Sequence, residues 1–408
     1  MKELMTSQFL KRTRTGSLMA VLTVLTVYCA WALVRPLPAL QPTKLNLQLK
    51  NTNAPIALNW PASSQAAVGI VPAGVMAMRG EQTAVPIAST AKVLTALAVL
   101  QKHPLGLKQS GPLITITAAD VAIYNQYIAG DGSVTPVTVG EKLSQYQMLQ
   151  ALLLPSANNI ADTMAIWAFG SLANYSTFSN NYIRQLGLTH TRVGTDASGY
   201  SPTTVSTAHD LVLLGQAAMQ EPVVAEIVGQ PSANLPLAGL VRNVNGLLGT
   251  NGIIGVKTGN TDEAGGVFIA AQQTTIGGRK QVLISAIVGA NSLYDALIGS
   301  VPLLNSEQNN YSATEVLRAK TKVGTYQVPW GKPINAVTDQ PLSTVARNNT
   351  IVHAEVQLKE LRAAEVQGSR VGTVRTLQSV TSTSKSTSVV LSESVPKPSL
   401  LWRLTNPL

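Results

Sequence analysis

Ser89 and Lys92 stand three positions apart in the segment P-I-A-S-T-A-K. On a helix that spacing sets an amine and a hydroxyl on one face. A serine hydroxyl is a weak nucleophile until a nearby base takes its proton. A lysine serves as that base when burial or a neighbouring cation depresses its pKa. A helix N-terminus adds amide N–H groups suited to a developing oxyanion. The pattern alone is not specific, because Ser382–Lys385 and Ser394–Lys397 repeat it without a helical context.

Two further constellations carry chemistry. Ser156-Ala157-Asn158 follows the apolar run Met148–Leu154, and on a loop it aims a hydroxyl and a carboxamide into one cleft. Lys257-Thr258-Gly259 occurs once and closes the apolar stretch Gly252–Val256. A strand edge bearing Lys, Thr and a flexible Gly suits a peptide backbone and its terminal carboxylate.

The elements that position these residues are legible in part. Residues 90–102 hold good helix formers without internal Gly or Pro, and Ser89 is a suitable helix-starting residue. Residues 158–169 have helical spacing, which places Ser156 just ahead of a second helix. Gly69–Arg79 reads as two strands around a turn at Pro72-Ala73-Gly74. After Lys257-Thr258-Gly259 come two apolar runs joined by Gly277-Gly278, the signature of a hairpin beside that strand.

The ends differ from this middle. Leu18–Val34 is an almost unbroken apolar run preceded by basic residues, the pattern of a signal peptide or of an N-terminal anchor with its N-terminus in the cytoplasm. Cys29, the one cysteine, lies inside it. Residues 36–55 are proline-rich and read as a tether. Beyond residue 306, Val352–Lys359 alternates apolar and polar positions, and further strands are expected near Lys320–Val328, Val371–Leu377 and Ser388–Leu391. Thr381–Ser388 is a Ser/Thr tract, and the tail Leu400–Leu404 is apolar and basic. The organisation expected is an anchor or signal (1–35), a linker (36–55), a catalytic domain (56–305), a β-rich domain (306–395) and a short tail (396–408).

Taken jointly and in order, S-x-x-K, S-x-N and K-T-G are far more specific than any one of them. The chain resembles the low-molecular-mass penicillin-binding proteins, the serine-type D-alanyl-D-alanine carboxypeptidases. The likeness extends to LLLPSANNIAD, to STAHDL (Ser206–Leu211), to NVNGLL (Asn243–Leu248) and to GVKTGNTDEAGG (Gly255–Gly266). It implies an α/β (α+β) fold of the DD-peptidase/β-lactamase type: an antiparallel sheet flanked by helices, a helical lobe bearing S-x-N, then a small all-β domain. It implies that Ser89 is acylated and that Lys92 activates it. Ser156 would relay protons near Lys92 and Lys257, and Asn158 would orient Lys92 or the substrate amide. Lys257, Thr258 and Gly259 would hold the substrate's carboxylate end, with the N–H groups of Ser89 and Asn260 forming the oxyanion hole. The expected substrate is a peptidoglycan stem peptide ending in D-Ala-D-Ala, with β-lactams as inhibitors and the cytoplasmic membrane as the site of attachment. Two departures stand out. Asn260 takes the place of a histidine common in the family, and Gly289–Ala296 lacks the arginine often found there, so that Lys257 and Thr258, or Arg279, must bind the carboxylate.

Competing classes meet specific obstacles. A class A β-lactamase needs a deacylating glutamate after S-x-N, and residues 142–220 contain none. Asp162, Asp196 and Asp210 are the carboxylates of that stretch. A DD-transpeptidase uses the same three motifs, and a non-catalytic wall-binding module of the same fold would have no need of Ser89, Lys92 and Lys257. Metal chemistry is not indicated, because His103, His190, His209 and His353 lack ligand spacing. No cofactor fingerprint is present. Tyr124 and Tyr127 suit either a cleft wall or a helical core. The net charge of +10 is not a nucleic-acid signature, since it divides into +4 over residues 1–35, zero over the next 273 and +6 over the last hundred.

Overall fold

The computed structural model describes residues 2–50, 55–62, 64–362, 365–377 and 384–406. The chain forms two units, Pro55–Ser312 and a second assembled from Met1–Ala54 with Ala313–Leu408.

The central unit is built on a five-stranded antiparallel sheet. Its order is Ile253–Thr261, Gly265–Ile276, Arg279–Ala290, Gln65–Ile70, Gly74–Arg79. Gly277 and Gly278 join the two longest strands with φ of 59° and 77°, the left-handed pair that a tight hairpin requires. Register sets Lys257 opposite Ile269 and Thr258 opposite Phe268. Helices cover both faces. Gly215 of the helix Ala208–Gln220 lies against Ile269 and Ile284, while Gly299 of the helix Leu293–Gln308 lies against Ile287. Residues 284 and 287 of one strand point to opposite faces, so the two helices do too.

The helix Ala91–Lys102 is buried from Ala91 to Leu100. A helix apolar all round must be enclosed. It is enclosed by Gln145–Leu153, Asn158–Phe169, Leu172–Gln185 and Ala208–Gln220. Reciprocal capping boxes at Thr117/Asp120 and Ser144/Gln147 fix where two helices of this lobe begin. The helix Leu293–Gln308 packs on the sheet, so the central unit runs past the expected boundary at residue 305.

The second unit holds a seven-stranded sheet in the order Pro42–Lys44, Lys322–Tyr326, Ile334–Thr338, Ser386–Leu391, Arg370–Thr376, Ile351–Leu358, Leu47–Lys50. Leu40, Val323, Tyr326, Val371, Val374 and Val389 are among its core residues. The segment read as a tether is therefore structural in part. Pro42–Lys44 pairs with Lys322–Tyr326, and Leu47–Lys50 pairs with Ile351–Leu358. Both added strands sit at the sheet's edges, where proline is tolerated. In the Ser/Thr tract, residues 381–383 lie outside the described residues, and Ser386–Leu391 is a strand. The N-terminal helix runs Lys2–Val34, and its part Gly16–Val34 is long and apolar enough to cross a membrane.

Candidate active site

Ser89 sits in a single 3-10 turn, Ala88–Thr90, that leads directly into the helix Ala91–Lys102. It does not cap that helix, as its sequence position suggested: no side chain caps the helix start. The hydroxyl instead receives a hydrogen bond from Lys92 Nζ at 2.7 Å. Ala88, immediately before it, has φ of 46°. A left-handed alanine costs on the order of 1–3 kcal/mol and persists where surrounding structure imposes it.

Lys92 is fully buried. Its Nζ also donates to Asn158 Oδ1 at 2.6 Å and to the Ser198 carbonyl at 3.1 Å. Burial pushes the amine well below the usual lysine range, and the charge of Lys257 pushes it further; Asp196 and Asp162 oppose this. As a neutral amine, Lys92 keeps two N–H groups for Asn158 and Ser198 and turns its lone pair to Ser89.

Asn158 is the first residue of the helix Asn158–Phe169 rather than part of the loop before it, and its backbone N–H bonds to Ser133. Its Oδ1 therefore approaches Lys92 from a rigid element. Ser156 is buried with φ of 67°, a second strained non-glycine residue at the site. Its hydroxyl makes no hydrogen bond to Lys92 or Lys257 among the described residues.

Lys257, also buried, donates to the Thr258 carbonyl at 3.1 Å. Burial pushes its amine down to about 7. Gly259 is needed sterically. A Cβ there would lie 2.9 Å from the Ile87 carbonyl and 3.1 Å from the Ser89 nitrogen. The missing side chain lets the strand run against the Ala88–Thr90 turn, beside the Ser89 amide.

Ser89, Asn158 and Asn260 open onto a cleft of about 600 Å³ whose lining also includes Gly132, Asp131 and Tyr200. No arginine lines it among the described residues, and Arg279 lies at the distal Gly277-Gly278 turn of the hairpin. Tyr127 does not wall the cleft. It is buried and donates to Asp162 Oδ2 at 2.7 Å, while its ring meets that of Tyr200 edge-on at 5.5 Å.

Sequence reasoning missed Ser198 and Tyr200. Asp196, which the sequence offers only as a candidate deacylation base, organises their segment. Its Oδ1 accepts from the N–H groups of Ser198 and Gly199, and its Oδ2 from that of Ser201. An Asp followed by Ser and Gly is a turn signal that could have marked the segment. Ser198 contributes a backbone carbonyl, for which no side-chain signal exists. Gly199, with φ of 72°, is pressed against the Ala88 carbonyl, so this segment packs on the nucleophile turn.

Of the histidines, His103 stacks on Trp167 at 4.3 Å and His209 lies 3.0 Å from Asp210. No group of three metal-ligating side chains occurs among the described residues.

Residues 51–292 match the family described as D-alanyl-D-alanine carboxypeptidase. The chain is 35% identical over 215 residues to D-alanyl-D-alanine carboxypeptidase DacB2 of Mycobacterium tuberculosis, covering 51% of this chain and 69% of that protein. It is 28% identical over 316 residues to DacD of Escherichia coli, covering 70% and 79% respectively. Penicillin-binding protein 5 of Haemophilus influenzae superposes on 85% of this chain and 100% of its own, with a TM-score of 0.58 at 19% identity. The Streptomyces K15 DD-transpeptidase covers 62% of this chain and 98% of its own, with a TM-score of 0.52 at 23% identity. These two likenesses establish the fold.

Proposed function

The chain belongs to the D-alanyl-D-alanine carboxypeptidase family, and from that premise we propose how its residues divide the work. The enzyme is a serine peptidase that removes the terminal D-alanine of peptidoglycan stem peptides through an acyl-enzyme. Lys92 takes the proton of Ser89 Oγ, which attacks the carbonyl between the last two D-alanines. The developing oxyanion accepts from the N–H groups of Ser89 and Asn260. D-alanine leaves with the proton, and water admitted to the cleft hydrolyses the ester, activated again by Lys92. The Lys257 ammonium and Thr258 hydroxyl hold the departing carboxylate, so no arginine is required for it. Asn158 fixes the Lys92 amine. Ser156 passes protons between the two lysines once substrate closes the site.

One observation carries this reading: a fully buried lysine lies 2.7 Å from a serine hydroxyl and, among the described residues, hydrogen-bonds to no carboxylate. Burial without an ion-pair partner is what turns an ammonium into a base at neutral pH. Labelling with a fluorescent penicillin, wild type beside Ser89→Ala, tests it. Wild type labels and the variant does not; equal labelling of both would end the assignment. Release of free D-alanine from a peptide ending in D-Ala-D-Ala accompanies labelling. Labelling without release would point to transpeptidation instead.

The catalytic unit works outside the cytoplasm, held by a retained N-terminal span. Support comes from how the ends of the second unit meet. A helix leaves its last carbonyls unpaired and its C-terminus partly negative. Arg403 Nη1 donates to the carbonyls of Ala32, Leu33 and Arg35 at the end of the N-terminal helix. Arg35 in turn donates to the carbonyls of Arg403 and Asn406 at the end of the helix Leu400–Thr405. Tyr28 adds a bond to the Leu404 carbonyl at 2.7 Å. Each arginine caps the other helix, and signal cleavage after the small-residue segment Ala30-Trp31-Ala32 would remove the helix that Arg403 caps. Sequencing the N-terminus of the protein purified from the membrane fraction tests the retained span. A terminus beyond residue 30 would refute it.

A further inference from the structure

Behind Lys92 lie two buried carboxylates that touch neither Ser89 nor the cleft. Asp162 comes four residues after Asn158 on one helix, so both project from the same face. Its Oδ1 accepts from the Ala197 N–H at 2.9 Å, and its Oδ2 from the Tyr127 hydroxyl at 2.7 Å. The same segment is gripped from a third side. Thr95, one turn beyond Lys92 on its helix, donates to the Ala197 carbonyl at 2.6 Å. Asp196 secures the residues after Ala197, up to the N–H of Ser201. The next carbonyl after Ala197 is that of Ser198, which accepts from Lys92. Asp162 thus holds the residue adjacent to a ligand of the base. It is only 5% exposed and makes no ion pair among the described residues. An ionised carboxylate so placed is costly unless a nearby cation answers it. The cation that faces it is Lys92.

We propose that Asp162, held by Tyr127, is a positioning residue for Lys92: it fixes the Ser198 carbonyl against the amine, and its negative charge, beside that of Asp196, helps the amine hold its proton. The proposal rests on Lys92 being the base.

The charged and titratable groups around it are few. Tyr127 reaches Asp162 from the helix Ala118–Ala129, Asp196 from the segment before Ala197, Tyr175 from the helix Leu172–Gln185, and Lys92 from the nucleophile helix, with Lys257 acting on Lys92 from the sheet. Burial pushes the Asp162 carboxyl up to about 6, against the pull of the Ala197 and Tyr127 bonds and of Lys92. Its negative charge in turn raises Lys92. Removing that charge removes support for the ammonium, so Lys92 loses its proton at lower pH. The acid limb of acylation then moves downward.

The test is the pH profile of penicillin acylation for the full-length wild type, Asp162→Asn and Tyr127→Phe. Asp162→Asn keeps the shape of the side chain and moves the acid-side midpoint down by about one pH unit. Tyr127→Phe removes a bond that favours the charged carboxylate, and moves the midpoint the same way by less. A merely structural link would instead lower the rate evenly at all pH values and leave the midpoint in place. A folded Asp162→Asn with an unmoved midpoint overturns the proposal. If that variant does not fold, an unmoved midpoint in Tyr127→Phe overturns it. Failure of the base assignment itself is distinguishable, because Lys92→Met would then still acylate.

Discussion

In the catalytic unit Lys92, Lys257, Asp162 and Asp196 are all buried, with 0%, 1%, 5% and 8% of their surfaces exposed. In the β unit the ion pairs Arg375–Glu355 and Lys320–Asp339 lie at the surface, and the core is aliphatic around Tyr326. Ala88 and Ser156, both non-glycine residues in left-handed conformations, flank the chemistry in the first unit. Burying charge and straining backbone both cost stability. Concentrating both around one serine makes sense only if they supply reactivity: two amines with depressed proton affinity and a rigid frame to aim them. The β unit also buries Arg35 and Arg347 and holds Lys320 and Asn349 left-handed, so the difference lies in what the buried groups meet: helix-end carbonyls for Arg35, a serine hydroxyl for Lys92.

The sharpest way to break this contrast is to remove the buried base. Lys92→Met lowers the second-order rate of penicillin acylation by about 10²–10⁴-fold, the range of general-base contributions. A variant within about threefold of wild type would mean that the buried lysine is structural, like the aliphatic core of the other unit.

A smaller effect comes from geometry alone. Gly259→Ala introduces a methyl 2.9 Å from the Ile87 carbonyl and forces the strand away from the nucleophile turn. Acylation then falls by roughly 10–100-fold while the protein stays folded, because small displacements of aligned groups are expensive. Circular dichroism and acylation kinetics on one preparation check both halves.

The third prediction is electrostatic. Burial pushes Lys257 down to about 7, and the proposed mechanism needs it as a cation for the substrate carboxylate. Above that pH it loses its proton, so kcat/KM for D-alanine release declines on the alkaline side. A peptide with an amidated C-terminus has no carboxylate to lose and shows no such limb. If the limb persists with the amide, Lys257 does not bind the carboxylate.

The smallest effect on chemistry is expected from the β unit. Val374 is fully buried there, and Val374→Ala removes packing worth about 2 kcal/mol. The thermal midpoint of that unit falls and acylation by penicillin is unchanged. A matching loss of acylation would show that the β unit is more than a framework.

The residues proposed as nucleophile, base and carboxylate-binding strand were legible because each acts through a side chain at short spacing. Three residues along a helix suffice for Ser89 and Lys92, and two along a strand for Lys257 and Gly259. The hairpin was legible from Gly277-Gly278 and the apolar runs on either side. The edge strands Pro42–Lys44 and Leu47–Lys50 were not read as strands, because the prolines around them marked the segment as a tether. Only pairing with Lys322–Tyr326 and Ile351–Leu358, far along the chain, makes them strands. Strands Tyr311–Leu317, Ile334–Thr338 and Leu342–Arg347 also escaped.

What the sequence determined by itself is the reaction, since bond making depends on residue types that cannot be exchanged. What only the tertiary structure decided is how the base is tuned. Asp162 and Ser198 are both remote from Lys92 along the chain, and Ser198 acts through a backbone carbonyl that any residue would present. Proton affinity depends on burial and on charges gathered across space. Both exist only once the helices have closed around Lys92.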